Sequence, residues 1–241
     1  MIGCDCEVCT SLDVRDSRYR SSILVESEQT TIVVDTTPDF RSQMLRGNVK
    51  KLDAVLITHH HKDHIAGLDD VKAYNYFMQQ SMSVYADALT QQALRREFSY
   101  IFSEQRYPGV PDVELHMIED DVFMVGDIPV VPIKVWHLNM PVLGFRFGSF
   151  TYITDANRIE QSQKNKIIGS QVLVVNALRY ATHISHFNLE EAITLADELN
   201  IPQAYFTHIS HQLGLHTQVS LTLPIGRALA FDNQELIIST S

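Results

Sequence analysis

The chain has 241 residues, and its 19 lysines and arginines against 29 aspartates and glutamates give a formal net charge of −10 at pH 7 with histidine neutral. Hydrophobic residues make up 45% and charged residues 20%, which is typical of a globular protein and excludes a disordered chain. The acidic balance argues against a protein that holds long nucleic acid on a basic surface, but it leaves room for a small phosphate ester bound through metal ions. Eleven histidines are the one unusual count.

The length suits a single domain with a sizeable core. No apolar run reaches the roughly 18 residues that a membrane-spanning helix needs, and residues 1–10 lack the apolar core of a signal peptide. We therefore expect one domain over residues 1–241, with no membrane partner. We place it in the cytoplasm, where thiols stay reduced.

Short apolar runs alternate with helical patterns along the chain, which predicts an α/β fold with mixed sheets. The strands are predicted over residues 22–26, 31–35, 53–58, 83–86, 129–136, 142–147, 150–154, 171–176 and 203–207. The helices are predicted over residues 38–46, 71–80 and 88–99, and from Asn188 onward. Asn188 and Glu191 are spaced as a variant of the helix capping box. Residues 228–231 and 235–238 predict a closing hairpin.

The strand that ends at Thr58 runs directly into six residues that contain four potential metal ligands: His59, His61, Asp63 and His64. Two histidines spaced two apart in extended chain point the same way. The aspartate and the last histidine follow on a turn, so they can address a second point nearby. Neutral imidazole and carboxylate are ligands that suit Zn²⁺, Mn²⁺ or Fe²⁺. His60 and Lys62 are predicted to face away. The alternative is a solvated, histidine-rich turn without function.

This segment matches the HxHxDH motif and resembles the metallo-β-lactamase superfamily. The resemblance implies an α/β fold of the αββα sandwich type, with two mixed β-sheets back to back, outer helices and a metal site at one sheet edge. It also implies further ligands at strand ends, where this chain has His137, Asp155 and His208. By the same resemblance His59, His61 and His137 bind one divalent ion, Asp63, His64 and His208 bind the other, and Asp155 bridges them.

More specific motifs lie outside the ligands. These are the cysteine cluster of residues 3–9, Arg-Ser-Ser at 20–22, Asp-Thr-Thr-Pro-Asp-Phe-Arg at 35–41, and Phe-Thr-His-Ile-Ser-His-Gln-Leu-Gly at 206–214. Together they resemble the phosphoribosyl 1,2-cyclic phosphate phosphodiesterase subfamily of bacterial phosphonate degradation, over nearly the whole chain. That subfamily opens with a strand before its cysteines, and this chain begins at Met1-Ile-Gly-Cys, so the strand is expected to be missing.

In the subfamily the cysteines and one histidine hold a structural Zn²⁺. Carried over, the ligands here are Cys4, Cys6, Cys9 and His211. A Cys₃His set is a closed four-coordinate zinc site, and three cysteines cannot all pair as disulfides. The zinc would clip the N-terminal loop to the segment that carries His208. The alternative is a frayed terminus with free thiols.

The subfamily also places a catalytic histidine at His186, which would protonate the leaving oxygen or hold phosphate oxygens. His183 is the competing residue, and a capping role for His186 is the structural alternative. Asp63 is expected to serve catalysis as well as metal binding. Arg41 and Arg179 carry guanidinium groups that match phosphate oxygens, with a surface or structural role as the alternative.

The sequence therefore predicts a metal-dependent phosphodiesterase that hydrolyses a small cyclic phosphate or nucleotide-like diester through a hydroxide bridging two Mn or Zn ions. One rival is a transfer-RNA 3′-processing type of endonuclease, against which the acidic charge counts. Another is a non-catalytic metal-binding module of the same fold. The aromatic residues Phe98, Tyr100, Phe102 and Tyr107 are expected to pack on their own domain, with a lid or a homodimer contact as the alternative.

Overall fold

The computed structural model describes residues 1–105 and 107–238 of the chain. The described chain folds as two compact units. The central unit is Arg20–Pro132. The terminal unit combines Met1–Tyr19 with the described chain from Ile133 onward. Among the described residues, none of the helices is long and apolar enough to cross a membrane.

The central unit is built on a sheet of five strands. The five strands of this sheet are β1 (Ile23–Glu26), β2 (Thr31–Val34), β3 (Ala54–Leu56), β4 (Met82–Ala86) and β5 (Val113–Met117). A sixth strand of the unit, β6 (Phe123–Val125), lies outside this sheet. The helices of the unit are α1 (Phe40–Arg46), α2 (Lys62–Ile65), α3 (Lys72–Met78) and α4 (Ala88–Glu97). The sheet order is β1-β2-β3-β4-β5, with β1 antiparallel to β2 and the other neighbours parallel. Every residue of β3 is buried, as expected for a central parallel strand.

The terminal unit carries the larger sheet. Its strands are β7 (Ile128–His137), β8 (Met140–Phe147), β9 (Phe150–Ile153), β10 (Val172–Asn176), β11 (Gln203–Thr207) and β12 (Arg227–Leu229). Its helices are α5 (Gln161–Ile167), α6 (Leu189–Glu198) and α7 (His216–Ser220). The order is β12-β11-β10-β9-β8-β7, and β7 starts in the central unit, where it pairs antiparallel with β6. Strands β9 to β12 are parallel, so their carboxyl ends meet at one edge of the sheet.

Most of the predicted elements are confirmed within one or two residues at each end. The start of α6 shows the full capping box: the Asn188 side chain accepts from the Glu191 N–H, and the Glu191 side chain accepts from the Asn188 N–H. The closing hairpin is wrong, because β12 pairs in parallel with β11 and residues 235–238 form no strand. Helix α5 was not predicted because six of its seven residues are polar and give no apolar stripe.

The predicted aromatic segment packs within the central unit. Phe98 and Ile101 are buried in its apolar core, and Tyr100 and Phe102 pack against that core. The Tyr100 hydroxyl donates to Asp69. Tyr107 is the exposed member of the set. The packing expectation therefore holds for the first three aromatic residues.

Candidate metal centre

In the central unit the predicted ligands follow β3 as it runs into α2. His59 and His64 are both only 1% exposed. His61 is the residue that precedes the first turn of α2, with an extended backbone. The ring centroids of His59 and His64 lie 4.2 Å apart, and the His59 Nε2 lies 3.1 Å from the His61 Nδ1. The sequence prediction of an extended pair followed by a turn is therefore matched by three imidazoles gathered at one point.

Asp63 lies on the first turn of α2 and is about half exposed. Its Oδ2 lies 3.6 Å from the His64 Nε2, so both can address the same point. Lys62 turns to the outside and pairs with Glu97. The prediction that Lys62 faces away from the ligands is confirmed.

Asp35 and Thr58 orient two of these histidines, and the sequence motifs did not assign them that role. Asp35 is fully buried at the end of β2, with a left-handed φ of 68°. Its Oδ1 accepts from the Thr58 N–H at 2.8 Å. Its Oδ2 accepts from the Thr58 hydroxyl at 2.8 Å and lies 2.7 Å from the His64 Nδ1. The Thr58 Oγ1 is in turn 3.0 Å from the His59 Nδ1.

An ionised carboxylate can only accept hydrogen bonds, and this fixes the direction of the whole network. The His64 Nδ1 must donate to Asp35. Because the Thr58 hydroxyl donates its proton to Asp35, its oxygen can only accept from His59. The His59 Nδ1 must therefore donate to the Thr58 Oγ1. Both imidazoles therefore present an unprotonated Nε2, the atom that binds a metal when the other ring nitrogen donates to a protein oxygen. Burial raises the pKa of Asp35, and the His64 and Thr58 donors act against that rise.

In the terminal unit Asp155 and His208 follow β9 and β11, and both have left-handed backbones, with φ of 55° and 53°. Such angles cost free energy for a residue with a side chain and recur at functional sites. The Asp155 Oδ1 lies 3.0 Å from the His186 Nε2 and 3.2 Å from the His208 Nε2. The Thr154 hydroxyl donates to the other carboxylate oxygen at 2.6 Å. Asp155 is therefore held with one oxygen facing two imidazoles.

His137, at the end of β7, completes the cluster of the terminal unit. Its ring packs edge-on against the His186 ring at 4.6 Å, and the His186 ring stacks on the His208 ring at 4.9 Å. The His137 Nδ1 lies 2.9 Å from the Ser185 carbonyl oxygen, which can only accept, so Nδ1 carries the proton and Nε2 is available to a metal. His137, Asp155 and His186 each offer a ligand atom within 4.8 Å of the others.

His183 and His186, the two candidates for the catalytic histidine, share one partner. The Ser185 hydroxyl lies 3.0 Å from the His186 Nδ1 and 3.3 Å from the His183 Nδ1. Burial is the main cause that lowers the pKa of His186, and the hydrogen bond to Asp155 opposes it. His186 faces Asp155 directly, whereas His183 reaches it through His186. Of the two histidines, it is therefore His186 that contacts Asp155.

The four predicted zinc ligands also come together. Cys4, Cys6, Cys9 and His211 each offer one ligand atom within 4.8 Å of the others. The His211 Nδ1 lies 3.4 Å from the Cys4 Sγ and 3.3 Å from the Cys6 Sγ. The hydrogen bond with His211 lowers the pKa of the Cys6 thiol to about 6, toward the thiolate that binds metal. The expectation of a frayed terminus does not describe this arrangement.

The Arg179 side chain has a structural role. Its guanidinium donates to the carbonyl oxygens of Ala181 and Thr182 and to the Gln212 side chain, next to zinc-ligand candidate His211. It therefore holds the loop that leads to His186. Asp35, Thr58 and Ser185 were missed as positioning residues. A buried strand that ends in Asp was the available signal for Asp35.

The donor sets fit the metals that their chemistry predicts. The first set consists of imidazoles and carboxylates, a mixture that accepts Zn²⁺, Mn²⁺ or Fe²⁺. The second is three thiols and one imidazole, which is the composition of a closed structural zinc site. Because the buried histidines have their Nδ1 atoms engaged, their Nε2 atoms are oriented as ligands before any ion arrives.

The comparisons with known proteins establish the family. Residues 30–209 match the model of the beta-lactamase superfamily domain. The chain therefore belongs to the metallo-β-lactamase superfamily, whose hydrolase fold implies divalent metal binding. A solved diphosphatase of the PhnP family is 37% identical, with a TM-score of 0.92, and the match covers 98% of this chain and 90% of that one. The predicted membership of the metallo-β-lactamase superfamily is confirmed, with a PhnP-family protein as a relative. The predicted fold class, an α/β sandwich with two mixed sheets and flanking helices, is confirmed as well.

Other relatives differ in what they are named for. An octanoyltransferase of Porphyromonas gingivalis (strain ATCC BAA-308 / W83) is 34% identical over 240 residues, which is 98% of this chain and 48% of that protein. The chain thus spans about half the length of that curated relative. The short form of human tRNase Z has a TM-score of 0.67 at 18% identity, over 92% of this chain and 95% of that one, which shows the fold alone.

Proposed function

We propose that this protein is a metal-dependent phosphodiesterase that hydrolyses a small cyclic phosphate or a nucleotide-like diester. The observation that carries the proposal is the cluster at the carboxyl ends of β9 and β11, where one Asp155 oxygen faces the Nε2 atoms of His186 and His208. The similarity to a PhnP-family diphosphatase over almost the full chain supports phosphate ester chemistry.

The proposed metal centre uses the ligands that the superfamily resemblance implies. It holds two divalent ions, Mn or Zn, through His59, His61, Asp63, His64, His137, Asp155 and His208. When bound, such ions lower the pKa of a water molecule and polarise a phosphoryl oxygen. A further zinc would bind at Cys4, Cys6, Cys9 and His211 and would secure the segment that carries His208.

The protein's own residues have defined tasks in this proposal. His186 donates a proton from Nε2 to the oxygen that leaves phosphorus, which general acid catalysis of this kind accelerates by roughly 10²–10⁴-fold. Ser185 holds the other ring nitrogen of His186, Nδ1, through its hydroxyl. Asp35 and Thr58 keep the Nε2 atoms of His59 and His64 unprotonated. Asp63 lies beside His64 as both ligand and electrostatic partner.

The test compares substrates on protein loaded with Mn²⁺ or Zn²⁺. An aryl phosphodiester and a ribose cyclic phosphate should be hydrolysed, and the rate should fall by about 10²–10⁴-fold in His186→Gln but by much less in the matched variant His183→Gln. Absence of hydrolysis in metal-loaded protein refutes the proposal. Equal losses in the two variants refute the assignment of His186.

Rival functions are separated in the same series of assays. Transfer RNA should bind weakly, because the chain carries a formal net charge of −10. A titration with salt that shows tight, salt-sensitive binding would favour the endonuclease. A non-catalytic module would bind metal and hydrolyse none of these esters. An octanoyl thioester should not be turned over if the phosphodiesterase proposal is right, although a relative that this chain matches over 48% of its length is named an octanoyltransferase.

The acidic charge and the composition of the chain support three further parts of the proposal. The partner is a small phosphodiester and not long nucleic acid, the chain works in the cytoplasm, and it forms one catalytic domain. The other proposed partner is a second copy of the chain. Measuring the mass of the protein in solution tests whether it forms a homodimer.

A further inference from the structure

Asn157 lies two residues beyond Asp155 and touches the segments of two other site histidines. Its backbone N–H donates to the Trp136 carbonyl oxygen at 2.8 Å, beside His137. Its side-chain Oδ1 accepts from the Leu138 N–H at 3.0 Å, on the other side of His137. Its Nδ2 donates to the Ile184 carbonyl oxygen at 2.8 Å, two residues before His186.

These bonds close a ring around His137. The His137 Nδ1 donates to the Ser185 carbonyl oxygen at 2.9 Å, and Ser185 follows Ile184, which is held by the Asn157 Nδ2. The Asn157 Oδ1 returns to Leu138, the residue bonded to His137. The Oδ1 arm thus acts most directly on the direction in which the His137 Nε2 points, through Leu138, while the Nδ2 arm holds the loop that carries Ser185.

The peptide that Asn157 carries is itself fixed. The buried Asn176 side chain accepts from the Ala156 N–H at 2.8 Å and donates to the Ala156 carbonyl oxygen at 2.9 Å. The Phe187 N–H also donates to the Ala156 carbonyl oxygen, at 2.7 Å. Asn157 thus extends from a rigid base beside Asp155, so the bonds it makes transmit that position to its partners.

The turn directly after His137 has a backbone conformation that needs a stabilising contact. Leu138 has a left-handed φ of 57°, a conformation that is unfavourable for a residue with a Cβ. The turn directly after His137 would relax if its hydrogen bond were lost. Only a side chain with a donor and an acceptor on separate atoms can hold Leu138 and Ile184 together, and an amide meets that need.

We propose that Asn157 is a positioning residue that aligns His137 as a metal ligand and His186 as a proton donor. The inference rests on the proposed metal centre and deepens it. Its two arms act separately: the Oδ1 arm serves His137 and metal affinity, and the Nδ2 arm serves the His186 loop and the chemical step.

The test uses Co²⁺ as a spectroscopic probe in Asn157→Ala, Asn157→Asp and the control Asn165→Ala, which changes an exposed asparagine of α5. Loss of both arms in Asn157→Ala should weaken Co²⁺ binding at the His/Asp site by about 10–100-fold and shift its d–d absorption. The thiolate-to-cobalt band of the cysteine site should stay unchanged, as an internal measure of folding. Asn165→Ala should match the native protein.

Asn157→Asp keeps the acceptor and loses the donor. It should retain the d–d spectrum while kcat falls at unchanged KM. Native Co²⁺ affinity and spectrum in Asn157→Ala would overturn the inference, and so would parallel loss of the thiolate band, which would mark a general folding role. If the native protein binds Co²⁺ at the His/Asp site and hydrolyses no diester, the proposed function fails while the affinity comparison still decides the role of Asn157.

Discussion

Replacing Asp35 with asparagine should weaken metal binding by reversing the hydrogen bonds of two histidines while leaving the fold intact. The new amide nitrogen stands where Oδ2 now accepts from the Thr58 hydroxyl and faces the His64 Nδ1. As a donor, it forces the His64 Nδ1 to become an acceptor, so the proton moves to Nε2. Thr58 then donates its hydroxyl proton to the His59 Nδ1, so the proton of the His59 ring also moves to Nε2.

The magnitude follows from the role of such partners. Loss of the hydrogen-bond partner behind a metal ligand typically costs 10–100-fold in metal affinity, which is about 1.4–2.8 kcal/mol at roughly 1.4 kcal/mol per tenfold. Every buried donor keeps a partner in Asp35→Asn, and asparagine tolerates the left-handed backbone at this position. The free energy of unfolding of the metal-free protein should therefore fall by only about 1 kcal/mol. Asp35→Ala should lose roughly 3–5 kcal/mol, because it leaves buried donors without an acceptor.

The assay is competition for Zn²⁺ or Mn²⁺ with a chromophoric chelator, together with urea unfolding of metal-free protein. The matched control is Asp53→Asn, which removes a carboxylate that accepts from the Thr31 N–H in the same sheet but contacts no histidine of the site. Native metal affinity in Asp35→Asn would refute the account of the network. Equal losses in the control would show that charge alone explains the effect.

Three other changes should give distinct results. Cys6→Ser should remove one zinc per chain by elemental analysis and lower the melting temperature, while the ions at the His/Asp site remain. Burial lowers the pKa of His216, so the native state keeps it neutral where the unfolded chain binds a proton. The free energy of unfolding should fall as pH drops below about 6.5. In a His216→Gln variant the urea midpoint should change less between pH 7 and pH 5 than in the native protein. Gly67→Ala should cost about 1–3 kcal/mol or more in urea unfolding, because its Cβ would lie 2.2 Å from the Thr37 carbonyl oxygen; a native midpoint would contradict the packing.

The sequence was sufficient for residues whose role follows from local order. His59 to His64 come directly after a buried strand, and Asp155 and His208 follow parallel strands whose carboxyl ends share one edge. Chain order therefore predicts these residues as ligands once the motif is recognised. The α6 start was equally readable, because capping depends on residues three apart.

What the sequence could not supply depends on contacts between distant residues. Asp35 acts on His64 across 29 positions, and the bond exists only because β2 and β3 pair in parallel. Asn157 and Ser185 have polar side chains of ordinary loop residues, so their roles emerge only with the geometry. The choice between His183 and His186 also needed coordinates, since both lie in the same short segment.

The most direct test of the central claim is ³¹P NMR of a ribose cyclic phosphate incubated with Mn²⁺-loaded protein, with a chelator-treated sample as the blank. In the Mn²⁺-loaded sample the cyclic diester signal should be replaced by the signal of a single phosphate monoester. The chelator-treated sample should not react. An unchanged diester signal, in protein shown to hold its metal ions, would contradict the proposed function.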